Sequence, residues 1–338
     1  MKKRNFFLLL FLVLILAAFS GCTENAAPDS ESGELELTLT ANKENYKVTG
    51  IGTHKGTTVT IPETYEGKAV IYISDGAFEN NREIKKVIIP KTVTQIYANA
   101  FNGCTSLAEV ECHATGINMI ATDAFRDTAF VKNLKNYEDG GLYISNNLIA
   151  VDPQKEDAFR IKDGTLTVAY QCFKNANISS LTVPDGCYHL GKFTFYEAKN
   201  LESVTFEASV GYLGEGLFYN CPSLRTVDIS FGCVNINERV FFGCSSLETV
   251  RFPSNLSSIK DCAFSGCSSL KELVLPDSCK TIGKEAFLGC SSLQSVHGAS
   301  SLTSVGSKAF RDCTSLTVCD LPQGALYGAL VFGNTPLE

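Results

Sequence analysis

The hydrophobic positions of this chain recur with a fixed period. A phenylalanine returns every 23 residues over much of the sequence, and a cysteine or another small residue usually follows three residues later. A period of this length is typical of stacked supersecondary units rather than of a globule around one central core. The regularly spaced phenylalanines are Phe195, Phe218, Phe241, Phe264, Phe287 and Phe310, with Phe78 and Phe101 in earlier copies and Phe332 in a truncated last copy.

Each copy contains a short strand pattern. In "LETVRF", Leu247, Val250 and Phe252 occupy the inward positions, and Pro253 ends the strand because proline lacks a ladder donor. The pattern predicts parallel strands stacked about 4.8 Å apart, a return path and a short corner turn in each coil. We expect the equivalent phenylalanines to stack into a continuous spine.

The segment "IKDCAFSGCSSLKELVLPDSCKTIGKEAFLGC" resembles the BspA-type leucine-rich repeat family of bacterial surface proteins. The resemblance covers Thr57 to Leu337 and includes a lead-in at Ile61 to Phe78. It implies a β-rich repeat solenoid, a leucine-rich repeat array of about ten coils with parallel stacked strands and short corner turns. It also implies adhesion to proteins of a host or neighbouring cell or to extracellular matrix, although the motif specifies an architecture better than a ligand.

One interval departs from the 23-residue period, because 48 residues separate Phe125 from Phe173. Within it, residues 137–153 form two alternating runs around "SNN", which predicts an inserted β-hairpin. Two interpretations remain open: a tolerated surface insertion, or an extra binding edge that bends the solenoid.

The N-terminus carries the features of an export signal. "MKKRN" is basic, the run from Phe6 to Phe19 is apolar, and "FSGC" resembles a bacterial lipobox. Residues 1–21 are therefore predicted to be a lipoprotein signal peptide, with the lipid on Cys22, although Phe19 stands where leucine is commoner. The alternative is an uncleaved membrane helix, for which the apolar run is short against the roughly 20 residues needed to span.

The rest of the chain divides into three parts. Residues 22–34 are small, polar and acidic and are predicted to be a flexible tether. Residues 35–60 alternate around the turn-forming "ANKEN", which predicts an N-terminal β cap that covers the open end of the solenoid. Residues 61–338 form the repeat domain.

Composition narrows the possible functions. The 338 residues carry a net charge of −7, and no cluster of lysine and arginine follows the first four residues. This charge argues against nucleic acid as a partner. We expect an exported monomer held by lipid on the outer face of the bacterial membrane.

The 14 cysteines have a common explanation as packing residues. The corner column alternates cysteine with Thr128, Ala176 and Ala198, so the position accepts any small side chain. Zinc is disfavoured because equivalent residues lie along a line, whereas zinc needs four converging ligands. Disulfides remain an alternative, since exported proteins meet oxidising conditions. We expect mostly free thiols, and Cys262 as the exception among them.

No catalytic motif is evident. The four histidines share no motif, and the sequence contains no H-E-x-x-H, G-x-S-x-G or P-loop pattern. The protein is therefore predicted not to be an enzyme and to need no cofactor or metal.

Two surfaces are candidates for binding a protein or glycan. The strand-face column is the outward position between the second and third core residues of each strand, and it is expected to be a rigid, mixed-charge array. Its members are Thr205, Asp228, Arg251, Val274, His297 and Asp320. The strand face is the favoured candidate.

The second surface is the aromatic strip of Tyr196, Tyr219 and Phe242, which directly follow three consecutive corner phenylalanines, with Tyr188 and Tyr212 nearby. The strip either binds a partner or covers the core. The leading function is a lipid-anchored binding protein of the cell surface. The alternatives are a structural component of the cell envelope and, more remotely, an enzyme acting on carbohydrate or peptide.

Overall fold

The computed structural model describes residues 33–121, 123–174, 176–187, 189–208, 212–229 and 233–338. These residues form a β-solenoid of about twelve stacked parallel coils, slightly more than the ten expected. The signal peptide, Cys22, most of the tether and Tyr188 lie outside the described residues. Within the ranges given above, no helix is long and apolar enough to cross a membrane.

Short strands make up most of the secondary structure. The strands of the first coils are β1 (Glu36–Leu39), β2 (Tyr46–Gly50), β3 (Thr58–Thr60), β4 (Thr64–Tyr65), β5 (Lys68–Ile73), β6 (Lys86–Ile89), β7 (Gln95–Ile96), β8 (Glu109–Cys112) and β9 (Met119–Ile120). A one-turn helix, α1 (Ala129–Lys132), and a 3-10 turn at Leu134–Asn136 follow.

The remaining strands are β10 (Gly141–Ile144), β11 (Asn147–Val151), β12 (Glu156–Arg160), β13 (Thr167–Val168), β14 (Asn177–Val183), β15 (His189–Leu190), β16 (Ser203–Phe206), β17 (Tyr212–Leu213), β18 (Thr226–Asp228), β19 (Asn235–Ile236), β20 (Thr249–Arg251), β21 (Ser258–Ile259), β22 (Glu272–Leu275), β23 (Thr281–Ile282), β24 (Ser295–Gly298), β25 (Ser304–Val305), β26 (Val318–Cys319) and β27 (Leu326–Tyr327).

Each regular coil contributes one strand to each of two parallel columns. The long-strand column contains β3, β6 and β8, then the even-numbered strands from β12 to β26. The short-strand column contains β2, β5, β7 and β9, then the odd-numbered strands from β11 to β27. The long strands are the ones that the sequence predicts. The short strands, such as Ser258–Ile259, were expected only as a return path, because two residues are too few to show a period.

The corners are also joined by backbone hydrogen bonds, which we call the corner ladder. In the coil of Phe241, the N–H groups of Arg239, Phe241 and Gly243 donate to carbonyls of the next coil at 3.1, 2.7 and 2.8 Å. Neighbouring coils repeat this arrangement. Donors therefore lie at every second residue, and in each such bond the N–H group donates toward the C-terminal end of the solenoid.

Left-handed backbone conformations shape these corners. The residue two before the corner phenylalanine has a positive φ in many coils, and it is seldom glycine: Arg239 has φ 57° and Cys262 has φ 55°. Such conformations cost about 1 kcal/mol or more for a residue with a side chain. The inter-coil hydrogen bonds of the ladder hold the backbone there.

The corner phenylalanines form the spine of the core. Between Phe195 and Phe310 they are fully buried, and rings of neighbouring coils stack with centroids 4.8–5.3 Å apart. The expectation of a continuous spine fails at the insertion. There, Phe125 meets Phe130 at 6.3 Å and Phe173 meets Phe159 at 5.8 Å, both at steep ring angles.

The interruption divides the core into two hydrophobic clusters. The N-terminal cluster runs from Tyr46 to Ile149, and the C-terminal cluster runs from Leu148 to Val331. Strand β11 lies at their junction. The predicted hairpin is present as β10 and β11, which pair antiparallel, while β11 also pairs in parallel with β13.

The N-terminal end is covered by a second hairpin. Strands β1 and β2 pair antiparallel around the turn in "ANKEN", and β2 pairs in parallel with β5. Strand β3 pairs in parallel with β6 and begins the long-strand column.

Candidate binding surfaces

The strand-face column lies outward on the long-strand column. Thr205 and Arg251 are exposed, and the strand register places Asp228 directly opposite Arg251. The Arg251 guanidinium lies 3.7 Å from the Asp228 carboxylate, with 81% of the Arg251 side chain exposed. Farther along, His297 Nδ1 lies 2.7 Å from Asp320 Oδ2.

Stacking thus places Arg251 next to the opposite charge of Asp228, and His297 within hydrogen-bonding distance of Asp320. An exposed pair of this kind contributes little to stability, but each partner is partly neutralised by the other. Sequence reasoning missed Arg160, which extends the column opposite Thr182 and donates to Glu207 at 2.8 Å. The outward position of Arg160 in β12, the strand after the insertion, could have identified this residue as a member of the column.

The aromatic strip is a contiguous set of stacked rings. Tyr196 and Tyr219 stack with centroids 5.6 Å apart, and Tyr219 and Phe242 stack at 4.8 Å. All three side chains are half-buried. The two hypotheses for the strip are therefore both partly met, since the rings cover the corner and still present a face to solvent.

Two further aromatic residues belong to the strip. The Phe193 ring lies 5.8 Å from Tyr219 and 5.8 Å from Tyr170, which is 40% exposed. Phe193 occupies the left-handed corner position, with φ 52°. Sequence reasoning missed it, because that position holds residues as different as arginine, cysteine and glycine.

Gly216 makes room for this cluster. A Cβ atom built on Gly216 would lie 2.2 Å from Phe193 Cε1, and Gly216 has φ 59°. Only glycine satisfies both conditions without a shift of the ring. The other aromatic residue expected near the strip, Tyr212, instead stacks on His189 at 5.6 Å.

The repeated cysteines are buried thiols with a hydrogen-bonding role. The described cysteines are free. Cys267 Sγ donates to the carbonyl oxygen of Phe241, the corner phenylalanine of the preceding coil, at 3.1 Å. The same bond recurs at 3.0–3.3 Å for Cys104, Cys221, Cys244, Cys290 and Cys313.

Side-chain size is therefore only part of the explanation for this column. A thiol fills a small space and also donates to a buried carbonyl, which alanine does not do. Thr128 achieves a related result by donating from Oγ1 to the carbonyl of Phe125 in its own coil at 2.8 Å.

Burial makes these thiols poor nucleophiles. It raises the pKa of Cys104 to about 11 and that of Cys187 to about 12, so the reactive thiolate is scarce at neutral pH. Cys262 differs from them because it is half-buried at the corner surface, with Sγ 3.9 Å from Glu285 Oε2. Burial, followed by the charge of Glu285, raises its pKa as well.

A cleft opens where the spine is interrupted. Its volume is about 1060 Å³, and it lies between the corners of Phe125 and Cys172, with residues of α1 and β11 in its lining. We call it the corner cleft. In the part of the chain that the structure describes, no group of three or more histidine, cysteine, aspartate or glutamate side chains could hold a metal ion.

The fold and its repeated corners define a leucine-rich repeat solenoid, a class typical of binding and scaffold proteins rather than of enzymes. The sequence matches six copies of the family described as BspA type leucine rich repeat region, over residues 52–148, 166–273 and 234–338. The chain belongs to this family.

Solved structures with a similar architecture come from several bacteria. A leucine-rich repeat protein from Bacteroides ovatus is 21% identical, with a TM-score of 0.47, over 87% of this chain and 98% of that one. A leucine rich cell surface protein from Faecalibacterium prausnitzii is 19% identical, with a TM-score of 0.29, over 89% and 94% of the two chains. No curated protein matches the sequence.

Proposed function

We propose that this protein is an exported lipoprotein of the bacterial cell surface that binds a protein or glycan partner through the outward side of its solenoid. The signal peptide and Cys22 would place it on the outer face of the membrane, and residues 22–34 would hold the solenoid away from the lipid. The family's architecture, with stacked coils and laterally extended faces, suits recognition over several coils.

The observation that carries the proposal is the aromatic strip. Tyr170, Phe193, Tyr196, Tyr219 and Phe242 form one continuous set of ring contacts across four neighbouring coils. Aromatic side chains held by stacking lose little conformational entropy on binding and often dominate interface energetics. The strip therefore has the composition of the centre of a binding interface.

The strand-face column is the weaker candidate. Its polar side chains already have partners, since Arg251 pairs with Asp228 and His297 Nδ1 lies within hydrogen-bonding distance of Asp320. A partner would have to compete with these contacts, and charged rim residues mainly affect association rate and salt dependence. This reverses the preference that the sequence suggested.

Substitution of Tyr219 distinguishes the two surfaces. We expect Tyr219→Ala to weaken capture of a protein or glycan partner by roughly thirtyfold, equivalent to about 2 kcal/mol for loss of an anchoring aromatic. Arg251→Ala should leave capture and its salt dependence nearly unchanged. The measurement is binding of purified protein to extracellular-matrix and cell-envelope preparations over a range of salt concentrations.

Tyr65→Ala is the matched control, because Tyr65 is also half-buried and packs on another ring, Tyr46, at 5.0 Å, but lies in the N-terminal coils. The reverse order, with Arg251 important and Tyr219 silent, would move the site to the strand face. Equal capture by all three variants would exclude both surfaces. Retention by the organism's own envelope but not by matrix would favour a structural role.

Cys22 tests the anchoring part of the proposal. We expect the mature protein to begin at Cys22 and to carry lipid there, so that Cys22→Ala leaves an unlipidated precursor that still carries residues 1–21. Incorporation of labelled fatty acid in the producing bacterium gives a direct readout. Cys262→Ala removes a cysteine from the corner surface and should leave lipidation intact. The anchor would be disproved if the unsubstituted protein incorporates no labelled fatty acid, or if Cys22→Ala incorporates as much as the unsubstituted protein.

A further inference from the structure

The corner ladder predicts where backbone groups are left without partners. In an intact stack, the N–H groups two before, at and two after the corner phenylalanine donate to the following coil. The carbonyls that accept them belong to the next corner. Each corner therefore has a donor edge toward the C-terminus and an acceptor edge toward the N-terminus.

The hairpin insertion separates two such edges. Strand β11 pairs with β13 in the short-strand column, and the Asn147 side chain donates to the carbonyl of Ile117 just before β9 at 3.3 Å. Strand β11 thus lies between the coils of Phe125 and Phe173. After β11 the chain turns directly into β12, so it supplies no corner segment at this level of the stack.

The donor edge of Phe125 is consequently open. Among the described residues, no group accepts a hydrogen bond from the N–H of Asp123, Phe125 or Asp127. One coil earlier, the equivalent N–H groups of Phe101 and Gly103 donate at 2.6 and 2.9 Å.

The facing acceptor edge is open as well. Over the same described ranges, the carbonyls of Tyr170, Cys172 and Lys174 accept no hydrogen bond, whereas the equivalent Glu215 and Leu217 carbonyls each accept one at 2.9 Å. Residues of both edges line the corner cleft. The corners are turns rather than β-strands, but their open N–H and C=O groups can pair with the backbone of another chain, as the groups of an open strand edge do.

The cleft between these edges has an apolar floor and a polar rim. Val131, Tyr137, Ile149 and Val151 line it, with Arg126 and Lys174 among the polar lining residues. Phe130 and Phe159 occupy the interrupted spine at this level. A segment placed in the cleft would therefore cover packed apolar side chains without having to replace a core residue.

We propose that the corner cleft binds a polypeptide segment of a partner, whose backbone pairs with the open edges of the Phe125 and Phe173 corners in place of the missing corner segment. The donors lie at residues 123, 125 and 127, and the acceptors at residues 170, 172 and 174. A polypeptide backbone that follows the corners can present C=O groups to the donor edge and N–H groups to the acceptor edge at the same two-residue interval, as the regular corners do. A glycan has no such alternation, so the backbone pattern favours a polypeptide.

The segment runs parallel to the corner segments, as neighbouring corners do. Its carbonyls accept from the Phe125 edge, and its N–H groups at alternate residues donate toward the Phe173 edge. The apolar floor and the nearby ring of Tyr170 favour apolar or aromatic side chains on the inward face of the peptide. The cleft is separate from Tyr219, so this inference stands whether or not the strip binds a partner.

The probe is a phage-displayed library of random linear peptides selected on the purified protein. We expect selected peptides to bind Ala98→Trp at least about tenfold more weakly than the unsubstituted protein, because Ala98 lines the cleft and an indole there obstructs it. Ala329→Trp is the matched control. Ala329 occupies the same repeat position, three before Phe332, but does not line the cleft, so binding should be retained.

Two further measurements on the unsubstituted protein keep the test decisive if Ala98→Trp fails to fold. Two sets of selected peptides are compared, one N-methylated at the odd-numbered residues and the other at the even-numbered residues. One set should lose binding, because its N–H groups face the Phe173 edge, and the other set should retain it. The amides of Asp123, Phe125 and Asp127 should become protected from hydrogen exchange when peptide binds. The proposal is overturned if selection yields no peptide, if Ala98→Trp folds and binds the selected peptides equally well, or if both sets of N-methylated peptides still bind.

Discussion

Replacing Phe264 with alanine is expected to lower the free energy of unfolding by about 3 to 5 kcal/mol. The Phe264 ring is fully buried and lies between two others, with centroids 4.9 Å from Phe241 and 5.1 Å from Phe287. Truncation removes both stacking contacts and leaves a cavity in a core that is only one coil thick at each level. Denaturant unfolding followed by circular dichroism measures the change.

Two substitutions in neighbouring repeat positions provide the comparison. Cys267→Ala should cost about 1 kcal/mol, because it removes the hydrogen bond to Phe241 while alanine already serves at the equivalent Ala198. Phe242→Ala should also cost less than Phe264→Ala, since the Phe242 ring is half-buried. Equal losses for all three variants would show that the spine does not dominate stability.

Raising the pH above about 9 is expected to destabilise the protein through its buried thiols. Burial raises the pKa of Cys104, Cys233 and Cys279 from the ordinary value of 9.0 to about 11 in each case. Because only the unfolded thiols ionise between these values, stability is constant below about pH 9 and falls as the pH rises toward 11. At about pH 10 each thiol should cost about 1.4 kcal/mol, or about 4 kcal/mol for the three.

The pH dependence is checked by denaturant titrations in a reducing buffer from neutral to alkaline pH. Substituting all three cysteines by alanine should make the curve less steep between about pH 9 and 11, while Cys187, whose pKa is raised by burial to about 12, still contributes to the loss. Burial raises the pKa values of Tyr137 and Tyr143 from 10.0 to about 12, so these two tyrosines add to the loss between about pH 10 and 12. A loss of stability that begins well below pH 9, or one unaffected by the triple substitution, would contradict this assignment.

The architecture could be predicted from the sequence because each coil repeats the same pattern of inward and outward residues. The interval from Phe195 to Phe218 and its successors defines both the period and the inward face, and the two hairpin signals mark the places where the repeat changes. The strands β10 and β11 lie within the interval expected for the insertion. Local patterns are sufficient for these features because the contacts of each coil are with its neighbours.

The features that could not be predicted depend on contacts between coils, which the sequence of a single repeat does not reveal. The bond from Cys267 to the Phe241 carbonyl joins residues 26 positions apart, and the left-handed conformation of Phe193 follows from the ladder rather than from residue type. The pairing of Arg251 with Asp228 likewise appears only when the strand register is known. The open edges of the corner cleft result from a segment that is missing at one level, which a sequence pattern does not display.

The corner ladder also bears on how such a gene can change in length. Each regular corner presents the same set of donors on one side and acceptors on the other, so a coil flanked by regular coils meets the same partners if one unit is duplicated or lost. In-frame gain or loss of 23 codons between Phe195 and Phe310 would therefore preserve the backbone hydrogen bonds between neighbouring corners and the stack of phenylalanine rings. The same event across the hairpin would not, because the flanking edges there are not interchangeable. Variation in repeat number is thus compatible with the C-terminal stack, while the junction near β11 is constrained.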